Sequence, residues 1–430
     1  MFLIEGFFNP YLVSGQTRLD AVLTIRSNKL VQATASTRGR RVIGFVLDIS
    51  GSMDGQKLAQ AKLAARRGLD LLSEDIWFFV VTFSGDAALV VKACQATRVN
   101  KAAAHQEIQA LSAGGPTAMS KGLSLALLQV QSCNAEIASV YFQTDGDNSR
   151  DDADRLKRTI EQCKGVFQCD CRGIGTDWKP AELRLIAQAL LGTADAVTDP
   201  NGLEEDLRAF LSRSMDKDVG GATLRLWSPK VVQVALVKQM SPDILDLMPL
   251  AKRVDEKTLD IPLGSWGNEA RDYQLVFELP QGEIGDEMLA CRPSIVLSGP
   301  QGETMVPCEP IAVQWSTDDS LTTRISKEVA HYTGQTELAD SIQEGMEAKN
   351  RGDEDKATRL LGRAAQLAAE SGNEEVTRRL RKVVELVDAR AGTIRLRKTD
   401  KAADMELELG GTRTVRRRVA APATDPTLSA

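Results

Sequence analysis

Between residues 40 and 216 the chain alternates short, unbroken apolar runs with longer stretches in which apolar residues recur every third or fourth position. The run Val42-Ile43-Gly44-Phe45-Val46-Leu47 has no polar position, which predicts a strand covered on both faces, as in the middle of a parallel sheet. Leu58, Ala61, Ala65, Leu69 and Leu72 then recur at helical spacing, so the next element is a helix with one face on that sheet. Further apolar strands are expected within 75–83, 137–142, 166–173 and 194–198, with an antiparallel edge strand near 87–92. Helices are expected near 101–111, up to about 131, and over 203–214. Strands and helices in strict alternation make a doubly wound α/β sheet of about six strands.

The pattern changes at Lys217-Asp218-Val219-Gly220-Gly221. Strands at 224–227, 231–237, 273–279, 292–297 and 311–315, separated by Gly and Pro turns, predict a β-sandwich over 217–320. Tyr11-Leu12-Val13 and the alternating Leu19 to Arg26 precede the α/β domain and need a sheet to join, so residues 1–39 are assigned to the sandwich and 40–216 to an insertion within it. Residues 322–391 carry helical spacing in three segments broken by Gly352-Asp353 and Gly372-Asn373, the third segment running through Val387. Either a degenerate tetratricopeptide hairpin or a plain three-helix module fits them. Residues 392–430 are polar and charge-rich, and are expected to form a coreless tail.

The first apolar strand stops at Asp48-Ile49-Ser50-Gly51-Ser52, which falls at the carboxyl end of the strand, where open α/β sheets place ligands. One carboxylate and two hydroxyls at alternating positions suit a hard cation. If the Gly-rich loop Ser112-Ala113-Gly114-Gly115-Pro116-Thr117 and the strand end Gln143-Thr144-Asp145-Gly146 sit on the same sheet edge, Thr117 and Asp145 reach the same point as Asp48, Ser50 and Ser52. This pattern resembles the von Willebrand factor A domain and its metal-ion-dependent adhesion site, over about residues 40 to 216.

The resemblance implies a site made of Asp48, Ser50, Ser52, Thr117 and Asp145 that holds Mg²⁺, or Mn²⁺ or Ca²⁺ in its place. The hydroxyls are the expected direct ligands, with Asp145, and Asp48 as a further candidate, acting through water. It also implies a non-enzymatic scaffold in which a partner protein supplies a carboxylate to the open metal position. More loosely, the architecture is similar to cytosolic bacterial A-domain proteins found beside Ser/Thr kinases and phosphatases, including tellurium-resistance proteins. The alternative is an adaptor for a MoxR-type or chelatase-type AAA+ ATPase. Thr412 and Thr414 are candidate phospho-acceptors in the expected tail, where a kinase or a forkhead-associated domain could engage them.

Composition narrows the rest. The formal charge of −6 argues against non-specific nucleic-acid binding. No apolar run approaches the ~20 residues of a membrane span, and Met1 to Phe8 lacks the features of a secretory signal. Seven scattered cysteines read as reduced thiols of a cytoplasmic protein, with Cys169 and Cys171 as core residues rather than half a zinc site. Two histidines, His105 and His331, leave little material for histidine-based catalysis or metal binding. Gly173-Ile174-Gly175 lacks the rest of a dinucleotide fingerprint and reads as a tight turn.

Overall fold

The computed structural model describes residues 2–28, 40–299, 302–324, 326–398 and 401–416. Its central feature is a six-stranded sheet in the order Ala87–Gln95, Trp77–Phe83, Arg41–Asp48, Ile137–Thr144, Gln168–Ile174 and Ala194–Val197. All neighbours are parallel except the first pair, which is antiparallel at the edge as the sequence predicts. Every residue of Arg41–Asp48 is buried, because helices cover both faces of the sheet. One face packs Val42, Val46 and Phe142 under the helices Met119–Ser132, Ala153–Cys163 and Pro180–Ala189; the other packs Ile43, Phe45 and Leu47 under Gln56–Leu71 and Leu203–Met215. At Gly44 a Cβ would stand 2.1 Å from the Phe79 ring, so this position needs a residue without a side chain.

Two antiparallel-rich sheets form the sandwich. One runs Phe2–Phe8, Arg18–Ser27, Glu269–Glu278, Gln233–Ser241, Leu245–Asp246; the other runs Lys252–Arg253, Thr258–Trp266, Val219–Trp227, Glu287–Gly299, Ile311–Ser316, Tyr11–Val13. Leu23, Ile25, Leu275 and Phe277 from the first meet Leu224, Ile261, Ile295 and Trp315 from the second in one core. Arg18–Ser27 lies between Phe2–Phe8 and Glu269–Glu278, so strands from before the α/β domain are completed by strands from after it.

The pattern does not predict the short strands Leu245–Asp246, Lys252–Arg253 and Gly302–Pro307, nor two longer ones. Phe2–Phe8 carries Gly6 and Glu5 within its apolar residues, and Thr258–Trp266 contains Pro262 and Gly264, which ordinarily punctuate strands. The structure accommodates Gly264 at φ +72° and places register shifts opposite these positions, at Ala222 and Thr223.

Three helices follow: Lys327–Asn350, Glu354–Ser371 and Glu374–Val383. Asp353 and Asn373 cap the second and third by accepting from Lys356 N and Val376 N, each at 3.1 Å. Gly372 ends the second helix in the left-handed region at φ +66°. The third stops at Val383 rather than continuing through Val387: Val384–Asp388 is a strand paired with Thr393–Leu396. A run of β-branched residues that reads as a helical face also suits a strand, and tertiary packing decided between them.

The expectation of a coreless tail over 392–430 is overturned for residues 392–398 and 401–416; 417–430 lie outside the described residues. Ile394 packs into the helical module, and Lys401–Gly410 is a helix. This helix borrows cores: Met405 and Leu409 join the α/β core while Leu407 joins that of the helical module. The segment after it straps the units together. Ile244 N donates to Thr412 O at 2.9 Å, Thr414 N donates to Pro242 O at 3.0 Å, and His331 Nε2 lies 2.7 Å from the Val415 carbonyl. Arg413 pairs with Asp195 of the α/β sheet and Glu375 of the helical module, and Arg416 Nε with Asp272 of the sandwich at 2.9 Å.

The two threonines therefore lie in a packed segment rather than in a coreless tail. Thr414 donates its hydroxyl to Met240 O and Thr412 donates its own to Leu409 O, both from partly buried positions.

Candidate functional site

The register of the parallel sheet puts Leu47 beside Gln143, so Asp48 and the Thr144-Asp145 pair end their strands at the same level. Asp48, Ser50, Thr117 and Asp145 are buried, while Ser52 is exposed at the mouth. Three loops carry them, and backbone hydrogen bonds join these loops. Gly114 N donates to Ile49 O at 2.7 Å, Gly51 N to Gly115 O at 2.9 Å, and Ser149 N to Thr117 O at 2.8 Å. Gly115 at φ +84° supplies the left-handed turn that the second loop needs. All five expected residues are thus brought to one sheet edge.

Their contacts define the chemistry. Asp48 Oδ1 accepts Ser50 N–H at 2.7 Å and Asp48 Oδ2 accepts the Thr144 hydroxyl. Ser50 Oγ and Ser52 Oγ lie 3.2 Å apart, and Ser52 Oγ donates to Asp145 Oδ1 at 2.6 Å. Burial pushes the Asp48 carboxyl above the usual carboxylate range, and the neutral donors Thr144 and Ser50, which act the other way, do not overcome it. Asp145 nearby adds to the rise. The result is a buried acid with neutral partners beside a second acid, which attracts a cation.

The donor set fits a hard one. It holds two carboxylates and three hydroxyls, with no sulfur or nitrogen among the five expected side chains. Gly146 keeps the space between the loops open: a Cβ there would stand 3.2 Å from Thr117 Oγ1 and 3.4 Å from Ser52 Oγ.

A sequence model described as von Willebrand factor type A domain matches residues 42–196, and one described as von Willebrand factor type A C-terminal domain matches 366–411. A solved structure of a von Willebrand factor type A protein from Catenulispora acidiphila is 38% identical, covers 97% of each chain and superposes with a TM-score of 0.91. The chain belongs to the von Willebrand factor type A family. An ArnB paralogue, VWA2, from Sulfolobus acidocaldarius shares the fold at 15% identity, with a TM-score of 0.64 over 96% of this chain and 98% of that one. An uncharacterised protein of the cyanobacterium Synechocystis is 31% identical over 225 residues, 50% of this chain and 53% of that protein. The chain therefore spans about half the length of this curated relative, and 20% of the inter-alpha-trypsin inhibitor heavy chain H1 of Mesocricetus auratus, to which it is 28% identical.

Von Willebrand factor type A domains are commonly metal-dependent protein-interaction modules and are generally non-enzymatic. The C-terminal match crosses the boundary drawn at residue 391, in keeping with a last helix that packs on both units. No helix among the described residues is long and apolar enough to cross a membrane. Cys169 and Cys171 lie in the core of the von Willebrand domain with their sulfurs 3.9 Å apart, and all seven cysteines are free thiols. Gly173 has no phosphate role to suggest, since a Cβ there would lie 1.9 Å from the Trp178 ring.

Two residues of the site were not singled out from the sequence. Thr144 holds Asp48, and its position next to Asp145 was the available signal. Lys57 Nζ donates to Asp145 Oδ2 at 2.6 Å. Its signal was electrostatic: it stands at the start of the helix Gln56–Leu71, where the helix dipole disfavours a cation.

Proposed function

We propose that this chain is a non-enzymatic, metal-dependent binding scaffold. Asp48, Ser50, Ser52, Thr117 and Asp145 hold Mg²⁺, with Mn²⁺ or Ca²⁺ as substitutes, and an acidic residue of a partner protein completes the coordination. The observation that carries this reading is Asp48, a wholly buried carboxylate whose hydrogen-bond partners are the neutral Ser50 N–H and Thr144 hydroxyl. A buried charge is stable only when it is paired or bound to a metal. Divalent metal supplies the missing positive charge, and the exposed Ser52 side of the site is the approach for a partner's carboxylate.

The chain's own residues do the rest. Ser50 N–H and Thr144 hold both Asp48 oxygens in fixed directions, and the Gly114-Gly115 loop, bonded to Ile49 and Gly51, keeps the loop bearing Thr117 against the site. Mg²⁺ prefers six oxygens and sheds water reluctantly, so a site of few direct protein ligands leaves room for an external one.

The test is retention of partner proteins by the immobilised full chain in Mg²⁺, followed by elution with EDTA. A partner that is released by EDTA and not retained by Thr117→Ala supports the reading. Identical retention in Mg²⁺ and in EDTA would remove metal from the interface.

A further inference from the structure

Lys57 lies in the first turn of the helix Gln56–Leu71, just after the loop that carries Asp48, Ser50 and Ser52, and its side chain is only 23% exposed. Its ammonium faces two carboxylates: Asp145 Oδ2 at 2.6 Å and Asp177 Oδ2 at 3.7 Å. The stem runs past Gly175, which lies in the left-handed region at φ +69°; a Cβ there would be 3.4 Å from Lys57 Cε. Asp145 Oδ1 meanwhile accepts Ser52 Oγ at 2.6 Å, so both oxygens of this buried acid are engaged. A cation at a helix start is unfavourable by itself, so the two carboxylates hold it there.

We infer that Lys57 is a resident cation which an arriving metal must displace from Asp145, and that this exchange makes the site select divalent over monovalent ions. The inference rests on the metal reading above. A monovalent ion brings Asp145 the same charge that the ammonium already supplies and must also shed water to do so, which leaves no net gain. A divalent ion brings twice the charge to Asp48 and Asp145 together, and its attraction for them grows in proportion. The released ammonium has a second acceptor within reach. Asp177 is 72% exposed and already faces it, so the exchange leaves no lysine stranded without a counter-charge.

The experiment compares the full chain with Lys57→Met, which keeps the stem and removes the charge, and with Lys57→Arg, which keeps the charge. Mn²⁺ binding is measured by calorimetry, and melting temperature with and without Mn²⁺. Lys57→Met is expected to bind Mn²⁺ about tenfold tighter or more, because a like charge beside the ion is gone. Its melting temperature is expected to fall without metal, since buried Asp145 loses its counter-charge, and to recover at saturating Mn²⁺. Lys57→Arg is expected to stay near wild-type affinity. Replacing choline chloride by NaCl at constant ionic strength is expected to weaken Mn²⁺ binding in Lys57→Met and not in the wild type.

A merely structural lysine would lower the melting temperature and leave affinity unchanged. Unchanged or weaker Mn²⁺ binding in Lys57→Met, with Lys57→Gln as the second neutral variant, overturns the role of Lys57 and leaves the metal reading standing. Absence of Mn²⁺ binding in wild type and variants alike overturns the metal reading itself.

Discussion

Asp48 and Asp195 are both buried acids at ends of strands in the same sheet, yet their surroundings are opposite. Burial raises the pKa of each. At Asp195 this is outweighed by Arg413, then Arg379 and Arg172, and the carboxyl is held below the usual range. At Asp48 the contacts are neutral, burial wins, and the carboxyl sits above that range. One acid ties the α/β sheet to the helical module and the C-terminal strap; the other has no cation among its hydrogen-bond partners and stands at the carboxyl edge of the sheet, where open α/β folds place ligands. Local structure that leaves a buried charge uncompensated is destabilising, and it persists where function uses it.

Breaking the compensated acid is expected to have the largest effect. Asp195→Ala removes the α/β-sheet acid shared by Arg379 and Arg413 and leaves both cations to Glu375 alone, and is expected to cost about 3 kcal/mol in urea unfolding at pH 7. The pH dependence follows from the sign of the shift. A folded pKa below the unfolded value of about 4 gives stability that is present above that value and lost as pH falls through the folded pKa. The penalty of Asp195→Ala should therefore shrink below about pH 4, where the wild type loses the same interaction.

A smaller loss is expected at the strap. Arg416→Ala removes the cation from Asp272, which keeps the hydroxyls of Thr24 and Tyr332. Because hydrogen bonds to that acid remain, a loss of about 1–2 kcal/mol is expected, with faster proteolysis after residue 410. Equal losses for Asp195→Ala and Arg416→Ala would show that the number of cations around the acid does not set the effect.

The smallest change should have the opposite sign. Asp48→Asn keeps an acceptor for Ser50 N–H and can donate to Thr144 Oγ1, while it removes an unpaired buried charge. Unfolding without metal is expected to be unchanged or up to about 1 kcal/mol harder. A loss of 2 kcal/mol or more would make Asp48 a structural acid like Asp195, and the comparison would fail.

The α/β domain was the most legible part of the sequence, because strands covered on both faces read as unbroken apolar runs and the helices between them keep a regular period. The placement of Asp48, Ser50, Ser52 and Asp145 was legible for a related reason, since an apolar run that stops at a polar cluster marks the carboxyl end of a strand, whereas Thr117 was read from its Gly-rich loop and the family resemblance. The C-terminal segment was not. Met405, Leu407 and Leu409 alternate with Glu406 and Glu408, a spacing that defines no single helical face, because the helix packs on two cores at once. Glu406 and Glu408 are satisfied by Lys382 and Arg184, which the linear sequence places far away. Lys57 was missed for the same reason, since its partner Asp145 lies on another strand loop.

The central claim is that Asp48 awaits a divalent cation, and calorimetric titration of Mn²⁺ into wild type and Asp48→Asn tests it most directly. One site in the wild type, absent from an Asp48→Asn protein that unfolds no more easily, is the expected result; equal Mn²⁺ binding by the two proteins would contradict it.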